Sequence, residues 1–451
     1  MRKQYVAIAL AWLLIVPFGS AAEPGSEPSP EPESPQLRTL AAALDAHDPN
    51  ALSMFWKRVA VEQTPLIETL PGRTDDVLYT FLWRGDAGQE ALNVRLNGMF
   101  PMHAAKGFDT FTQLRKSDVW YTSYVLGRTA HLRYELVAPK GWHAAPDRNT
   151  YFSMDGVEYE TFCDPLNKRQ TRWGWGEPGE LTSYVMGPDA KTSPYLEKRA
   201  DVAAGTVETL DVESKILGNR RTLRIYTPAG YTKSTRTYGL LLAFDGNQYT
   251  MAVPTPRILD NMIAAGAIPP VVAVFMESPD RDVELPPNDQ FQRFLGEEML
   301  PQVRARYRIS RDPKRNVVMG SSYGGIGATY TAIRHPDVFG NVISQSGSYW
   351  WSPESPNAPA ARATPPNIRG INPDGGWLVK QIAESPRKNI RFYLETGVWE
   401  GSTMVLSNRV LHSVLVGKGY PVTYHEYPGN HSAYYWMLAL PDALQASFGR
   451  P

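Results

Sequence analysis

The spacing of apolar positions changes character along this chain, and each change marks a different kind of structure. Leu37, Leu40 and Leu44, then Leu52, Phe55, Trp56 and Val59, recur three to four residues apart and predict two short helices. Beyond them the pattern turns to alternation. Val77 to Trp83, Leu92 to Leu96, Val119 to Val125 and Leu132 to Val137 are short runs rich in β-branched and aromatic residues, separated by turn residues. Such runs predict the strands of a β-sandwich. From Ala138 to Tyr195 the chain is rich in Pro, Gly, Trp and Asp, and is expected to wrap the sandwich or bridge to the next domain. Further on, strands alternate with helices. Arg221 to Tyr226, Leu240 to Phe244, Val271 to Met276, Val317 to Met319, Val342 to Ser344, Ile390 to Leu394 and Val422 to Tyr427 read as strands. A helix is expected over Asp289 to Arg306, with Phe291, Phe294, Leu295, Met299, Leu300 and Val303 on one face. This alternation builds a mostly parallel sheet covered by helices, with ligands at the carboxyl ends of its strands.

Length supports two units, because 451 residues exceed one core of ordinary size. We expect a β-domain over residues 37–200 and an α/β-domain over 201–451. Ahead of them, residues 1–22 read as a cleavable export signal: Arg2 and Lys3, then the apolar run Val6 to Phe18, then Ser20-Ala21-Ala22. That run falls short of the roughly 20 residues a membrane span needs. Residues 23–36, repeating Pro, Glu and Ser, have nothing to bury and are expected to be a disordered linker. Lys and Arg together number 46, as do Asp and Glu, so no overall field draws nucleic acid. The single cysteine, Cys163, excludes an intrachain disulfide and reads as a small half-buried residue. The eight histidines show no metal-ligand spacing, and neither metal nor cofactor is expected.

The chemistry concentrates at Gly320-Ser321-Ser322-Tyr323-Gly324, a Gly-x-Ser-x-Gly pattern with a strand before it and a small-residue helix after it. A nucleophile on so tight a strand-to-helix turn leaves no room for side chains two residues to either side, which explains the glycines. The pattern makes Ser322 the expected nucleophile of an α/β hydrolase. A serine hydroxyl needs a base, and in this fold the base comes after the last strand. His431, after Tyr427-Pro428-Gly429-Asn430, fits that place, with His425 inside the strand as the alternative. His335 ends the helix that Ser322 begins, and His412 lies in a later helical pattern. An orienting carboxylate should come after the penultimate strand. Glu400 lies in that loop, while Glu395 is still on the strand. For the oxyanion, the backbone amides of Tyr323 and of Asn247, in the turn Phe244-Asp245-Gly246-Asn247, are the expected donors.

With those residues placed, the chain resembles the enterochelin (enterobactin) esterase family of esterase D-like α/β hydrolases. Arg281-Asp282-Val283-Glu284-Leu285-Pro286 is similar to its Arg-x-x-Glu-Leu-Pro segment, and Ser344-Gln345-Ser346-Gly347-Ser348-Tyr349-Trp350-Trp351 to its serine- and tryptophan-rich stretch. Leu394 to Glu400 and Gly429-Asn430-His431 occupy the places of its acid and histidine, although Ser432 stands where an acidic residue comes after that histidine. Thr64 to Glu68, Phe81 to Arg84 and Asp164 to Asn167 resemble its N-terminal module. The resemblance implies hydrolysis of the serine-ester trilactone of a catecholate siderophore, ferric or apo, or of its linear fragments. Cutting that backbone unlinks the catechols and loosens their grip on iron. Such substrates are anionic and aromatic, so Arg281, Arg257, Tyr349, Trp350 and Trp351 become candidate substrate-binding residues. Otherwise Arg281 pairs with Glu284 and the tryptophans fill the core. The better-known two-domain members of that family look cytoplasmic, whereas the export signal here points to a periplasmic version, with secretion as the alternative.

Two rival readings remain at this level. Feruloyl and acetyl-xylan esterases also set a β-sandwich before a serine hydrolase domain, and the tryptophans of residues 120 to 175 would then be sugar platforms. A non-catalytic siderophore-binding protein would keep the fold without turnover.

Overall fold

Ser34 accepts a hydrogen bond from the Leu37 amide and so caps α1 (Pro35–Asp45), which packs against α2 (Ala51–Glu62). In the computed structural model, residues 31–85, 93–95, 109–140, 148–154, 157–172, 181–353 and 376–449 are described. The expected export signal and residues 23–30 of the linker lie outside the described residues, as do Leu92, Leu96, Trp173 and Trp175. The end of the expected disordered linker is instead ordered: Ser34 is buried against Glu68, and Pro35 and Gln36 open α1.

The next strands form two antiparallel sheets. They are β1 (Leu66–Thr69), β2 (Asp76–Arg84), β3 (Asn93–Arg95), β4 (Asp109–Thr110), β5 (Thr112–Gln113), β6 (Val119–Gly127) and β7 (His131–Pro139). After these come β8 (Arg148–Met154), β9 (Val157–Phe162), β10 (Gln170–Arg172) and β11 (Leu181–Met186). One sheet runs β1-β2-β6-β5; the other runs β10-β11-β7-β3-β4, with β9 on β7 and β8 on β9. Alternate side chains of β2, β6 and β7, among them Tyr79, Phe81, Leu126, Leu132, Tyr134 and Leu136, meet in one core between the sheets. The stretch expected to wrap the sandwich or bridge to the next domain therefore supplies four strands. Its runs are short and polar, as in Val157-Glu158-Tyr159-Glu160, so they lack the apolar alternation that signals a strand. Cys163 is buried just past the end of β9.

The second half opens with β12 (Thr206–Ser214), β13 (Asn219–Thr227), β14 (Gly239–Phe244), α3 (Thr255–Ala264) and β15 (Val271–Met276). The middle holds α4 (Arg281–Glu284), α5 (Asp289–Arg293), α6 (Leu300–Arg306), β16 (Val317–Ser321), α7 (Tyr323–Arg334) and β17 (Asn341–Gln345). The chain finishes with α8 (Trp377–Glu384), β18 (Arg391–Gly397), α9 (Ser402–Gly417), β19 (Val422–Tyr427) and α10 (Ala433–Phe448). The sheet order is β12-β13-β15-β14-β16-β17-β18-β19, parallel from β15 to β19 and antiparallel at β12 and β13. Strands β14 to β17 are buried along their whole length, as strands covered on both faces must be. The helix expected over Asp289 to Arg306 is present as α5 and α6, joined through a π-helical turn at Phe294–Met299. Pro301 has no N–H to close an ordinary turn there, and the ladder widens just before it.

Candidate active site

Strand β16 runs straight into α7, and Ser322 is the single residue between them. It is held at φ 56° and ψ −120°, a region costly for any side chain-bearing residue. The glycines answer the crowding this turn creates. A Cβ on Gly320 would lie 2.4 Å from the backbone of Gly324, and one on Gly324 would lie 2.8 Å from Asp245 Oδ2. The Ser322 amide donates to Gln345 O at 3.0 Å, and its carbonyl accepts from Gly325 N and Ser348 N at 3.0 Å each. The turn is pinned from both sides, and half-buried Ser322 stands at the carboxyl edge of the sheet.

Across β17, β18 and β19 the chain delivers the other polar groups to the same edge. His431 Nδ1 lies 2.7 Å from Glu400 Oε2, and the indole of Trp436 stands edge-on to the ring at 4.9 Å. Glu400 is only 1% exposed. Its Oε1 accepts from Gly397 N at 2.7 Å, Ser346 Oγ at 2.5 Å and Tyr427 OH at 2.9 Å. Hydrogen bonds to a charged group contribute roughly 1.5–3 kcal/mol each, so this set fixes the carboxylate and, through it, the imidazole plane. With Nδ1 facing the carboxylate, Nε2 is the nitrogen left to exchange a proton.

The alternatives raised by the sequence go elsewhere. Glu395 is buried in β18 and takes a hydrogen bond from Gln345 Nε2 at 2.7 Å; burial pushes its carboxyl up to about 8. His425 is exposed on β19 beside Tyr393. His335 reaches the Gln292 carbonyl at 3.0 Å, and His412 stacks on Tyr424.

The Ser322 hydroxyl and the imidazole are not hydrogen-bonded to each other. Among the described residues Ser322 Oγ contacts Ser348 Oγ, at 3.3 Å. Catalytic hydrogen bonds are often long in unliganded enzymes and tighten only on binding substrate, so this geometry keeps Ser322 and His431 as a candidate pair. The Tyr323 amide opens α7 and so lies beside the hydroxyl at a helix N-terminus. The Asn247 amide donates to Glu277 Oε1. Burial raises the pKa of the Glu277 carboxyl, and the bond from Asn247 opposes that rise.

Of the candidate substrate residues, the structure keeps some near the nucleophile and takes others away. Arg281 does not pair with Glu284. Its guanidinium binds Asp245 at 2.7 and 3.0 Å and the Ser321 carbonyl at 3.3 Å, directly beneath the nucleophile turn. Glu284 instead meets Arg221 of β13 at 2.8 and 3.0 Å in a buried pair. Tyr349, expected at a pocket, is 0% exposed. Its hydroxyl is satisfied by Thr329 and Ser344 at 2.7 Å each, so it is a core residue. Trp351 is likewise buried, edge-on to Trp377. Both belong to the hydrophobic core because the turn after β17 folds inward. Trp350 remains half-exposed, 5.9 Å from the Tyr323 ring. Arg257 is exposed on α3 and reaches the Leu196 carbonyl at 3.3 Å, so it tethers the segment between the two halves.

Sequence reasoning missed the residues that build the carboxylate's cradle. Ser346, itself at φ 52°, and Tyr427 supply two of its donors, and Gln345 links Glu395 to Tyr249 OH and the Trp436 carbonyl. The signal available for them is the polar run Ser344-Gln345-Ser346 at a position where a buried strand ends. Among the described residues no cluster of three His, Cys, Asp or Glu side chains could hold a metal, and no helix is long and apolar enough to cross a membrane.

The chain is similar to known proteins over most of its length. The family described as "Putative esterase" covers residues 214–447, and that described as "Enterochelin esterase, N-terminal" covers residues 78–195. An iron(III) enterobactin esterase of Dickeya dadantii is 28% identical, over 87% of this chain and 92% of its own. An iron(III) salmochelin esterase of Escherichia coli is 27% identical, over 87% and 93%. The solved ferric enterobactin esterase of Salmonella typhimurium superposes with a TM-score of 0.68 at 24% identity, over 87% of this chain and 98% of its own. That of Shigella flexneri, determined in the presence of enterobactin, gives 0.66 at 22% identity, over 87% and 97%. Fold and family together define an α/β hydrolase that acts on carboxylic esters. The chain belongs to the enterochelin esterase family.

Proposed function

We propose that the protein hydrolyses the serine-ester backbone of a catecholate siderophore of the enterobactin type, with Ser322 as nucleophile, His431 as general base and Glu400 as the acid that orients it. The observation that carries the mechanism is the 2.7 Å contact between His431 Nδ1 and a buried, fully cradled Glu400 at the same sheet edge as a strained Ser322. The substrate class rests on the curated relatives of nearly equal length, which are iron(III) enterobactin and salmochelin esterases.

In the first step Ser322 Oγ leaves Ser348, attacks the ester carbonyl carbon and passes its proton to His431 Nε2. The tetrahedral intermediate then expels the seryl alkoxide, which takes that proton back and departs as an alcohol. Water, deprotonated by the same nitrogen, attacks the acyl-enzyme; its collapse frees the carboxylic acid and returns the proton to Ser322. The Tyr323 amide, at the head of α7, supports the negative oxygen in both halves. Asn247 can join it only when Glu277 releases its amide. Half-exposed Trp350 beside Tyr323 offers a flat surface to a catechol ring. The leader-like residues 1–22 support an export route, and with it hydrolysis in the periplasm.

The test is direct. Purified protein and Ser322→Ala are incubated with ferric and apo enterobactin, with feruloylated arabinoxylan alongside, and products are read by mass spectrometry. The wild type should release linear catechol-serine fragments, and the variant should lose about a millionfold in kcat. Cleavage of the feruloyl ester alone would overturn the siderophore substrate. Binding without turnover by the wild type would overturn the enzyme.

A further inference from the structure

The loops that carry His431 and Glu400 do not rest on their own sheet alone. On the N-terminal sandwich, Ala130 O takes a hydrogen bond from Gly187 N at 2.8 Å, which turns the next backbone groups of β7 toward the opposite edge. There the His131 amide donates to Pro428 O at 3.0 Å, and His131 forms a parallel bridge with Gly429. Two residues on, the Arg133 carbonyl accepts from Asn430 Nδ2 at 3.1 Å. The turn Pro428-Gly429-Asn430, immediately before His431, thus lies along β7 as a short added strand. Asn430 is buried, so its amide bond to Arg133 is sheltered from water.

The acid loop docks on the same body. Trp399, next to Glu400, packs against the core shared by the two sandwich sheets, and its amide donates to Gly429 O at 3.2 Å. Tyr434 on α10, three residues past the histidine, lies 4.2 Å from Tyr184 of β11, ring centre to ring centre. The sandwich therefore touches the chain on both sides of the imidazole and beside the carboxylate.

We infer that the N-terminal β-sandwich is a positioning scaffold for the His431–Glu400 pair, acting through the β7 edge on Asn430 and through its core on Trp399. Asn430 and Trp399 are positioning residues: neither touches the reacting atoms, but each sets where the imidazole stands relative to Ser322. The inference rests on the proposed roles of His431 and Glu400.

The experiment uses the full chain and a small chromogenic ester, p-nitrophenyl butyrate. Asn430→Ala removes the donor to Arg133, and Trp399→Phe trims the docked ring while keeping it apolar. Each variant is assayed for kcat and KM, with circular dichroism at the assay temperature recording the folded fraction. Both variants should lose at least tenfold in kcat per folded molecule with KM within twofold. A side chain that merely stabilises the fold would lower the folded fraction and leave kcat per folded molecule unchanged. Wild-type kcat in a folded variant overturns the inference. His431→Ala runs in parallel: full activity there sinks the site assignment itself, whereas an inactive His431→Ala beside a normal Asn430→Ala sinks only the scaffold.

Discussion

Ser322 holds its place against backbone strain, whereas the two glutamates of β18 and its loop differ only in what surrounds them. Glu400 faces the imidazole, and Glu395, five positions earlier, faces Gln345. Replacing Glu400 by Gln keeps the volume but presents the wrong partner to Nδ1, so kcat should fall about 10³–10⁴-fold in steady-state assays. Glu395→Gln should keep turnover and change the pH dependence of stability instead. Burial holds the Glu395 carboxyl up near 8, above its unfolded value of 4.5. Its contribution is therefore fully present below about pH 4.5 and is lost as pH rises toward 8. Thermal midpoints measured from about pH 5 to 8 should fall less steeply in the variant than in the wild type. At this scale the tight turn at Ser322 and the meeting of Glu400 with His431 were legible, because glycine spacing and chain order are one-dimensional. Tyr349 and Trp351 were not. Whether an aromatic side chain lines a pocket or fills a core depends on which way a turn folds, and the turn after β17 folds inward.

Among the elements, the β16–α7 turn carries the strictest geometry. Gly320→Ala would drive a methyl to within 2.4 Å of Gly324 backbone, which can yield only by shifting the turn. Stability should drop by about 1–3 kcal/mol, and fluorophosphonate labelling of Ser322 should slow more than that loss alone explains. Labelling at the wild-type rate would show the turn to be more forgiving than its contacts suggest. The parallel strands were readable because strands buried on both faces are nearly unbroken apolar runs, as in Leu240-Leu241-Leu242-Ala243. Strands β9 and β11 were not, since a strand only partly buried needs no apolar run. The π-helical turn at Phe294–Met299 had a readable cause in Pro301, but helical periodicity continues through it and hides the widening.

In the molecule as a whole, His131 sits where the sandwich meets the histidine loop. Burial lowers its pKa to about 4, from an ordinary value of 6.5. A depressed value means the stabilising contribution is complete above about pH 6.5 and is lost as pH falls toward 4. His131→Phe keeps a ring against Tyr435 and removes the titration, so its thermal midpoint should decline less than the wild type's between about pH 7 and 4.5. Equal declines would place the acid sensitivity elsewhere. Apolar periodicity cannot show a contact of this kind, because it joins segments remote in the chain; Arg133 and Asn430, bonded at the same seam, are 297 positions apart.

The lone thiol at Cys163 has a practical consequence. Because it is buried and no other cysteine exists, the native surface is silent toward maleimide reagents. Val157 on the sandwich and Val207 at the start of the large sheet are both solvent-facing, so cysteines introduced there would accept a donor and an acceptor dye with no background labelling. Energy transfer between the two dyes would then report, in a single molecule and in real time, whether the halves breathe during each round of turnover.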